Sequence, residues 1–283
     1  MIHKRQHHRI LYAAAFVLLL LTAALPAQAA AWQTPCVGDT YDYIYQDDRM
    51  SIVIDKIDTG KIVYYVADVQ VSDPTYLQTA LSGGQINGKS EKLSKIAADN
   101  NAVFAVNGDF YTFHKHGTII RNGQLLRSSA TTRNMLIVDK NGELSVIADR
   151  SNENPKQLSK GLVADGTWQT FEFGPELVRD GQAVGFDKDF NIISTRTTRR
   201  EPRTAIGQIG ALHYIFIVSD GRQEGYSIGM TLKELQELFI AYGAKVAMNL
   251  DGGGSAEMYF QGEILNRPCE GGERPMSDII LVK

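Results

Sequence analysis

Residues 51–71, SIVIDKIDTGKIVYYVADVQV, alternate apolar and polar side chains on either side of Asp58-Thr59-Gly60. A period of two is the signature of a strand with one face buried, and a polar turn between two such runs predicts a hairpin. Sliding that pairing by one residue would turn every core side chain to the other face, so the register is tightly constrained. Asn122-Gly123, Asn141-Gly142 and Asp180-Gly181 fall between further strand-like runs, each a dipeptide that tolerates positive φ. Much of the chain is therefore expected to be antiparallel or mixed sheet. A helix is predicted after Thr231, because Thr231 and Glu234 have the spacing of a capping box. Leu232, Leu235, Leu238, Phe239 and Tyr242 then form one apolar stripe, and Gly243 supplies a stop. A second helix, Lys89–Asp99, precedes an apolar strand, Ala102–Val106, whereas Asn152–Lys160 reads as a surface connection. No repeat or Pro-rich linker divides residues 30–283. The expected class is α+β (mixed α/β), a sheet with packed helices in one catalytic domain.

The N-terminal segment reads as an address. Lys4, Arg5 and Arg9 precede an apolar run, Ile10–Leu25, and Ala27-Gln28-Ala29 has the small-x-small form of a cleavage site. Residues 1–29 are read as a signal peptide, with export to the periplasm or the cell exterior and no membrane span after cleavage. Residues 1–29 carry three of the 29 Lys and Arg and no acid, so the mature chain has 26 basic and 32 acidic residues, a net charge of -6. That balance argues against nucleic acid as a partner. Cys36 and Cys269 lie near the two ends of the mature chain, and an oxidising compartment would let them pair as a disulfide.

The chemistry is expected where apolar strands end in Asn, Asp and Gly. VAMNLDGGGSAEMYF, residues 246–260, runs from a buried strand through Asn249, Asp251, Gly252, Gly253, Gly254 and Ser255 into a second strand. Three consecutive glycines suit a tight turn or a close ligand, and successive amides there could form an anion-binding nest. The segment lacks the Lys of a P-loop and the Gly-x-Ser-x-Gly frame of a serine-hydrolase elbow. Asn107-Gly108-Asp109 ends another apolar strand, and Ser219-Asp220-Gly221-Arg222 ends HYIFIV. Arg203, in RREPRT, has the fork to bind phosphate or carboxylate. Strand-end motifs of this kind together suggest one cleft. Asp109, Asp220, Asn249 and Asp251 could hold Ca2+ or Mg2+ through oxygen. Zinc at His114-x-His116 is the less favoured metal, for want of other ligands.

NGDFY (107–111), RTAIG (203–207), SDGRQEGYSIGMTLKEL (219–235), NLDGGGSAEM (249–258) and NRPCEGGERPMSDIILV (266–282) resemble the phosphodiester glycosidase family in order and spacing. Coverage runs from about residue 90 to the C-terminus. Tyr111 departs from a more usual Phe, and Cys269 from a small polar residue. The resemblance implies a hydrolase that cuts a sugar from a phosphodiester, with a cleft lined by Asn107, Asp109, Arg203, Asp220, Arg222, Asn249, Asp251 and Ser255. Its relatives imply an envelope glycan or exopolysaccharide as substrate. Within that frame Arg203 and the Gly252–Gly254 amides are assigned to the phosphate. Asp251 is the first choice as nucleophile or base, with Asp109 and Asp220 as alternatives, and Asn107 and Asn249 would hold sugar hydroxyls or the carboxylates. Two other classes compete: a glycan-binding protein without turnover, and a metal-dependent phosphodiesterase that breaks the P–O bond.

Overall fold

The hairpin read from residues 51–71 forms as strands Met50–Asp58 and Val63–Val71, antiparallel, with Gly60 at φ 78° in the turn. The structure, a computed structural model, describes residues 32–33, 41–148, 150, 152–186 and 198–283. The expected signal segment and Cys36 lie outside those residues. Residues 32–283 form one compact unit. No helix among the described residues is long and apolar enough to cross a membrane.

The hairpin sits in an eight-stranded antiparallel sheet. Its order is Tyr43–Gln46, Met50–Asp58, Val63–Val71, His213–Ser219, Arg203–Gly210, Val246–Asn249, Glu176–Arg179, Gln182–Ala183. A five-stranded antiparallel sheet runs Glu263–Ile264, Met258–Phe260, Phe104–Asn107, Asp278–Val282, Leu77–Leu81. The two sheets pack face to face, and side-chain alternation shows how. Tyr214, Phe216 and Val218 join Phe104, Val106, Ile280 and Val282 in the core between the sheets. Ile215 and Ile217 point the other way, onto helix α3 (Leu232–Ala241). Ala105, Ile279 and Leu281 point outward from the second sheet onto helix α1 (Leu93–Asp99). The result is an α–β–β–α sandwich. Strands covered on both faces need no polar side, so the hairpin is more buried than its alternation suggested.

The capping box forms as expected, with Thr231 and Glu234 exchanging side-chain and backbone hydrogen bonds. At the other end Gly243, at φ 77°, donates to Ile240 O and Ala244 donates to Phe239 O, a Schellman ending. α3 lies so close to the sheet that a Cβ on Gly207 would stand 2.7 Å from the Phe239 ring.

Three expectations are corrected. The chain is mostly β, with three α-helices among the described residues, rather than a balanced α+β mixture. α1 begins at Leu93, not Lys89, because its apolar face starts there with Leu93, Ile96 and Ala97. The expected loop Asn152–Lys160 contains most of a helix, α2 (Pro155–Ala164). Asn154 accepts from Lys156 N and Gln157 N, and Pro155 occupies the first turn, where its missing N–H costs nothing.

Candidate active site

Asn249 ends a strand of the eight-stranded sheet and Met258 begins one of the five-stranded sheet. The Asp-Gly-Gly-Gly-Ser segment is thus the crossing between sheets, and two of its glycines answer separate constraints. A Cβ on Gly252 would stand 2.7 Å from the Pro202 carbonyl oxygen and Gly253 has φ 61°, whereas a Cβ on Gly254 would meet the movable end of the Glu270 side chain. The amides are partly spent: Gly252 N donates to Asp251 Oδ1 (2.9 Å) and Gly253 N to Pro202 O (3.0 Å). Of the expected nest, the Gly254 amide alone is without a partner among the described residues.

The crossing lines a cleft of about 160 Å³, with Arg203, Arg222, Arg274, Glu201, Pro202 and Phe173 as further walls. Asp251 retains some exposure there, 15% of its side chain, with Arg274 Nη2 3.9 Å from its Oδ2. Burial pushes its carboxyl up to about 6, despite the opposing pull of Ser255 and Arg274. Arg203 donates Nε to Met230 O (3.2 Å) and Nη2 to Arg199 O (3.0 Å), leaving Nη1 without a partner among the described residues. Burial lowers Arg203 to about 10, so it still carries its charge at neutral pH. Arg222, at φ 58°, is held by Glu201, which also pairs with Arg199. Ser255 is buried and accepts from Arg274, which makes it a support for that guanidinium.

The other predicted residues lie beneath or beside the cleft. Asn107 donates to Asp251 O (2.7 Å) and accepts from Thr204 Oγ1 (2.6 Å). Asn249 donates to Gly174 O and Leu250 O and has no exposed surface. Both asparagines therefore shape the backbone around Asp251. Asp109 accepts from the amides of Phe110 (2.7 Å) and Glu172 (3.1 Å). It belongs to a buried charge network in which Arg121 contacts Asp109 (3.6 Å) and Asp278 (2.6 Å), and Arg150 pairs with Glu172. Burial raises Asp278 to about 6 and Glu172 to about 7. Asp220 accepts from Asn266, Tyr226 and Arg267 N and does not line the cleft. Its carboxylate fixes the 266–267 turn.

Among the described residues no three His, Cys, Asp or Glu side chains converge as a metal-binding group, so Asp109, Asp220 and Asp251 do not form one site. His114 and His116 stack ring on ring, 6.5 Å apart. Cys269 is a free, half-buried thiol beside Arg222, and the structure does not show the expected bridge to Cys36. Sequence reasoning missed Arg274, Glu201 and Phe173 as cleft residues. Arg274 lies within the recognised C-terminal motif, but nothing local distinguishes it from Arg267.

The model of the family described as "Phosphodiester glycosidase" matches residues 100–283. The chain belongs to the phosphodiester glycosidase family. Bovine N-acetylglucosamine-1-phosphodiester alpha-N-acetylglucosaminidase is 27% identical over 202 residues, 66% of this chain and 37% of the bovine one. The mouse protein of that name is 25% identical over 221 residues, 71% of this chain and 41% of the mouse one. A prophage-derived protein of Bacillus subtilis is 31% identical over 125 residues, 43% of this chain and 18% of that one. This family member thus spans less than half the length of these relatives. Its fold is also that of the zebrafish N-acetylglucosamine-1-phosphodiester alpha-N-acetylglucosaminidase catalytic domain, solved auto-inhibited by pro-peptide. The TM-score is 0.64 at 22% identity, covering 82% of each chain. A hypothetical protein from Synechocystis gives 0.53 at 17% identity, covering 83% of this family member and 62% of that protein.

Proposed function

We propose that this protein hydrolyses the glycosidic bond of a glycosyl phosphodiester, with Asp251 as nucleophile or base and Arg203, Arg222 and the Gly254 amide receiving the phosphate. The observation that carries the reading is Asp251 beside three guanidinium groups around a small polar cavity, whose other lining carboxyl, Glu201, is taken up by Arg199 and Arg222. Most glycosidases need a second carboxyl to protonate the departing oxygen. A phosphodiester leaves as a weakly basic anion, so donors that stabilise negative charge can replace that acid. Asp109 and Asp220, whose oxygens are taken up by internal hydrogen bonds, serve as supports in this scheme. The names of the bovine and mouse relatives make N-acetylglucosamine the first sugar to try. The N-terminal address supports action outside the cytoplasm, on an envelope or exopolysaccharide glycan.

The competing phosphodiesterase reading breaks a different bond, and isotope labelling separates the two. Hydrolysis of UDP-N-acetylglucosamine and related sugar phosphodiesters in 18O-labelled water should place the label on the released sugar. Label in the phosphate product would move the protein to the phosphodiesterase class. Binding of these compounds without turnover would make it a glycan-binding protein.

A further inference from the structure

Beyond the cleft, a chain of stacked side chains leads to a cation with no carboxylate at ion-pair distance among the described residues. Phe173, which lines the cleft, meets Phe110 edge to face at 5.1 Å. Phe110 in turn carries the Arg133 guanidinium over its ring, 4.1 Å from the centroid, and meets His114 at 4.6 Å. Arg133 donates Nη1 to His114 Nε2 (3.1 Å) and, among the described residues, makes no ion pair with a carboxylate. Arg121, Arg150, Arg222 and Arg274 each face an acid within 4 Å, whereas Arg133, like Arg127 and Arg203, has no such pair among the described residues. A half-buried guanidinium loses hydration, and here the carboxylates of Asp109, Glu172 and Asp251 offset that loss only from beyond ion-pair distance.

The segment around it, Phe110–Thr118, FYTFHKHGT, holds one lysine, two histidines and no acid, in a chain of net charge -3, with burial keeping His114 neutral. Arg127 Nη1 donates to the carbonyls of Tyr111, His114 and His116, which fixes the shape of this lip. At its tip Phe113 is 65% exposed, with Arg274 6.0 Å from its ring. Arg274 also faces Asp251, so this aromatic edge adjoins the cleft.

We propose that Arg133, stacked on Phe110, and the exposed ring of Phe113 form a second anion-binding subsite beside the cleft, selecting glycosyl phosphodiesters that carry a further negative charge. The guanidinium takes the added carboxylate or phosphate, and the Phe113 ring offers a face for the sugar that bears it. The inference rests on the hydrolase reading for its substrate class, although binding tests it without turnover. The cationic lip would also speed encounter with a polyanionic glycan at low salt.

The test uses three synthetic substrates with the same scissile bond, ending in a neutral hexose, a hexuronic acid or a hexose phosphate. The full-length protein should show kcat/KM about tenfold or more higher for a charged end at low salt, and the preferred end identifies the anion. Arg133→Gln should cut that preference below about threefold and flatten the salt dependence, Arg133→Lys should recover part of it, and the exposed control Lys160→Gln should leave it intact. Equal rates on all three substrates, or an equal loss on all three in Arg133→Gln, would overturn the subsite while leaving the hydrolase reading in place. Calorimetric titration with the hexuronic acid and hexose phosphate ends alone covers the converse. Charge-dependent binding lost in Arg133→Gln supports the subsite even if no substrate turns over, and absence of such binding counts against it.

Discussion

In the role proposed for it, Asp251 is where protonation and activity meet. With its carboxyl raised to about 6, a role as nucleophile or base requires the ionised form, so kcat/KM should fall about tenfold per pH unit below that value and level off above it. Asp251→Asn keeps the shape and removes the charge, and should lower kcat about 10²–10⁴-fold with an unchanged circular dichroism spectrum. Ser255→Ala, which releases Arg274 and removes one hydrogen bond that holds the Asp251 carboxyl down, should cost about tenfold or less. The reverse ranking would hand the central role to Ser255. Glu257 gives a stability prediction. It is fully buried, accepts from Arg274 N at Oε1, and leaves Oε2 unpartnered. Burial raises it from 4.5 to about 8, so the unfolded chain releases this proton first. Stability should therefore decline between about pH 4.5 and 8, by up to about 1.4 kcal/mol per unit from this group. Glu257→Gln should raise Tm at pH 8 and change it little at pH 4.5. Parallel melting profiles across that range would count against the buried-proton account. At this scale the sequence named Asp251 and Arg203 from residue type and strand-end position. It put Asp251 ahead of Asp109 and Asp220 without the physical ground, because the hydrogen bonds from Glu172 to Asp109 and from Asn266 to Asp220 come from distant parts of the chain.

Elements were legible where their signals are local. The α3 cap, stripe and stop, and the 51–71 hairpin, depend on residues a few positions apart. α2 begins inside the stretch expected to be a surface connection, where Asn154 caps and Pro155 fits the first turn. Its apolar contribution is slight, with Leu162 joining Ile120, Met135 and Ile137, so periodicity gave little help. Two glycine substitutions separate space from flexibility. Gly252→Ala would push a methyl group against the Pro202 carbonyl, and should cost about 1–3 kcal/mol and displace the crossing from the cleft. Gly161→Ala, in α2 with nothing within 4 Å of the added carbon, should stabilise by up to about 1 kcal/mol. Thermal melts and turnover of both variants check this, and similar behaviour of the two would refute the close-approach account.

Among the described residues, the two largest sheets are clasped where the 250–257 segment crosses between them. Asn107, from the five-stranded sheet, reaches both Thr204 on the eight-stranded sheet and the Asp251 carbonyl of the crossing. Asn107→Ala should lower stability by about 2–3 kcal/mol and reduce activity as well, since it leaves buried polar groups unpaired at the clasp. Denaturant unfolding with parallel kinetics checks the coupling, and loss of stability with normal kcat/KM would break it. The sequence by itself determined the strands, the capped helix, the family motifs and the set of strand-end residues, because period, turn chemistry and glycine runs act over a few positions. The tertiary structure alone decided that the sheets stack with helices outside, that Asp109 and Asp220 are taken up by internal hydrogen bonds while Asp251 borders the cleft, and that Arg274 lines it. Those outcomes depend on which distant side chains supply hydrogen bonds and remove water, and short-range pattern does not encode that.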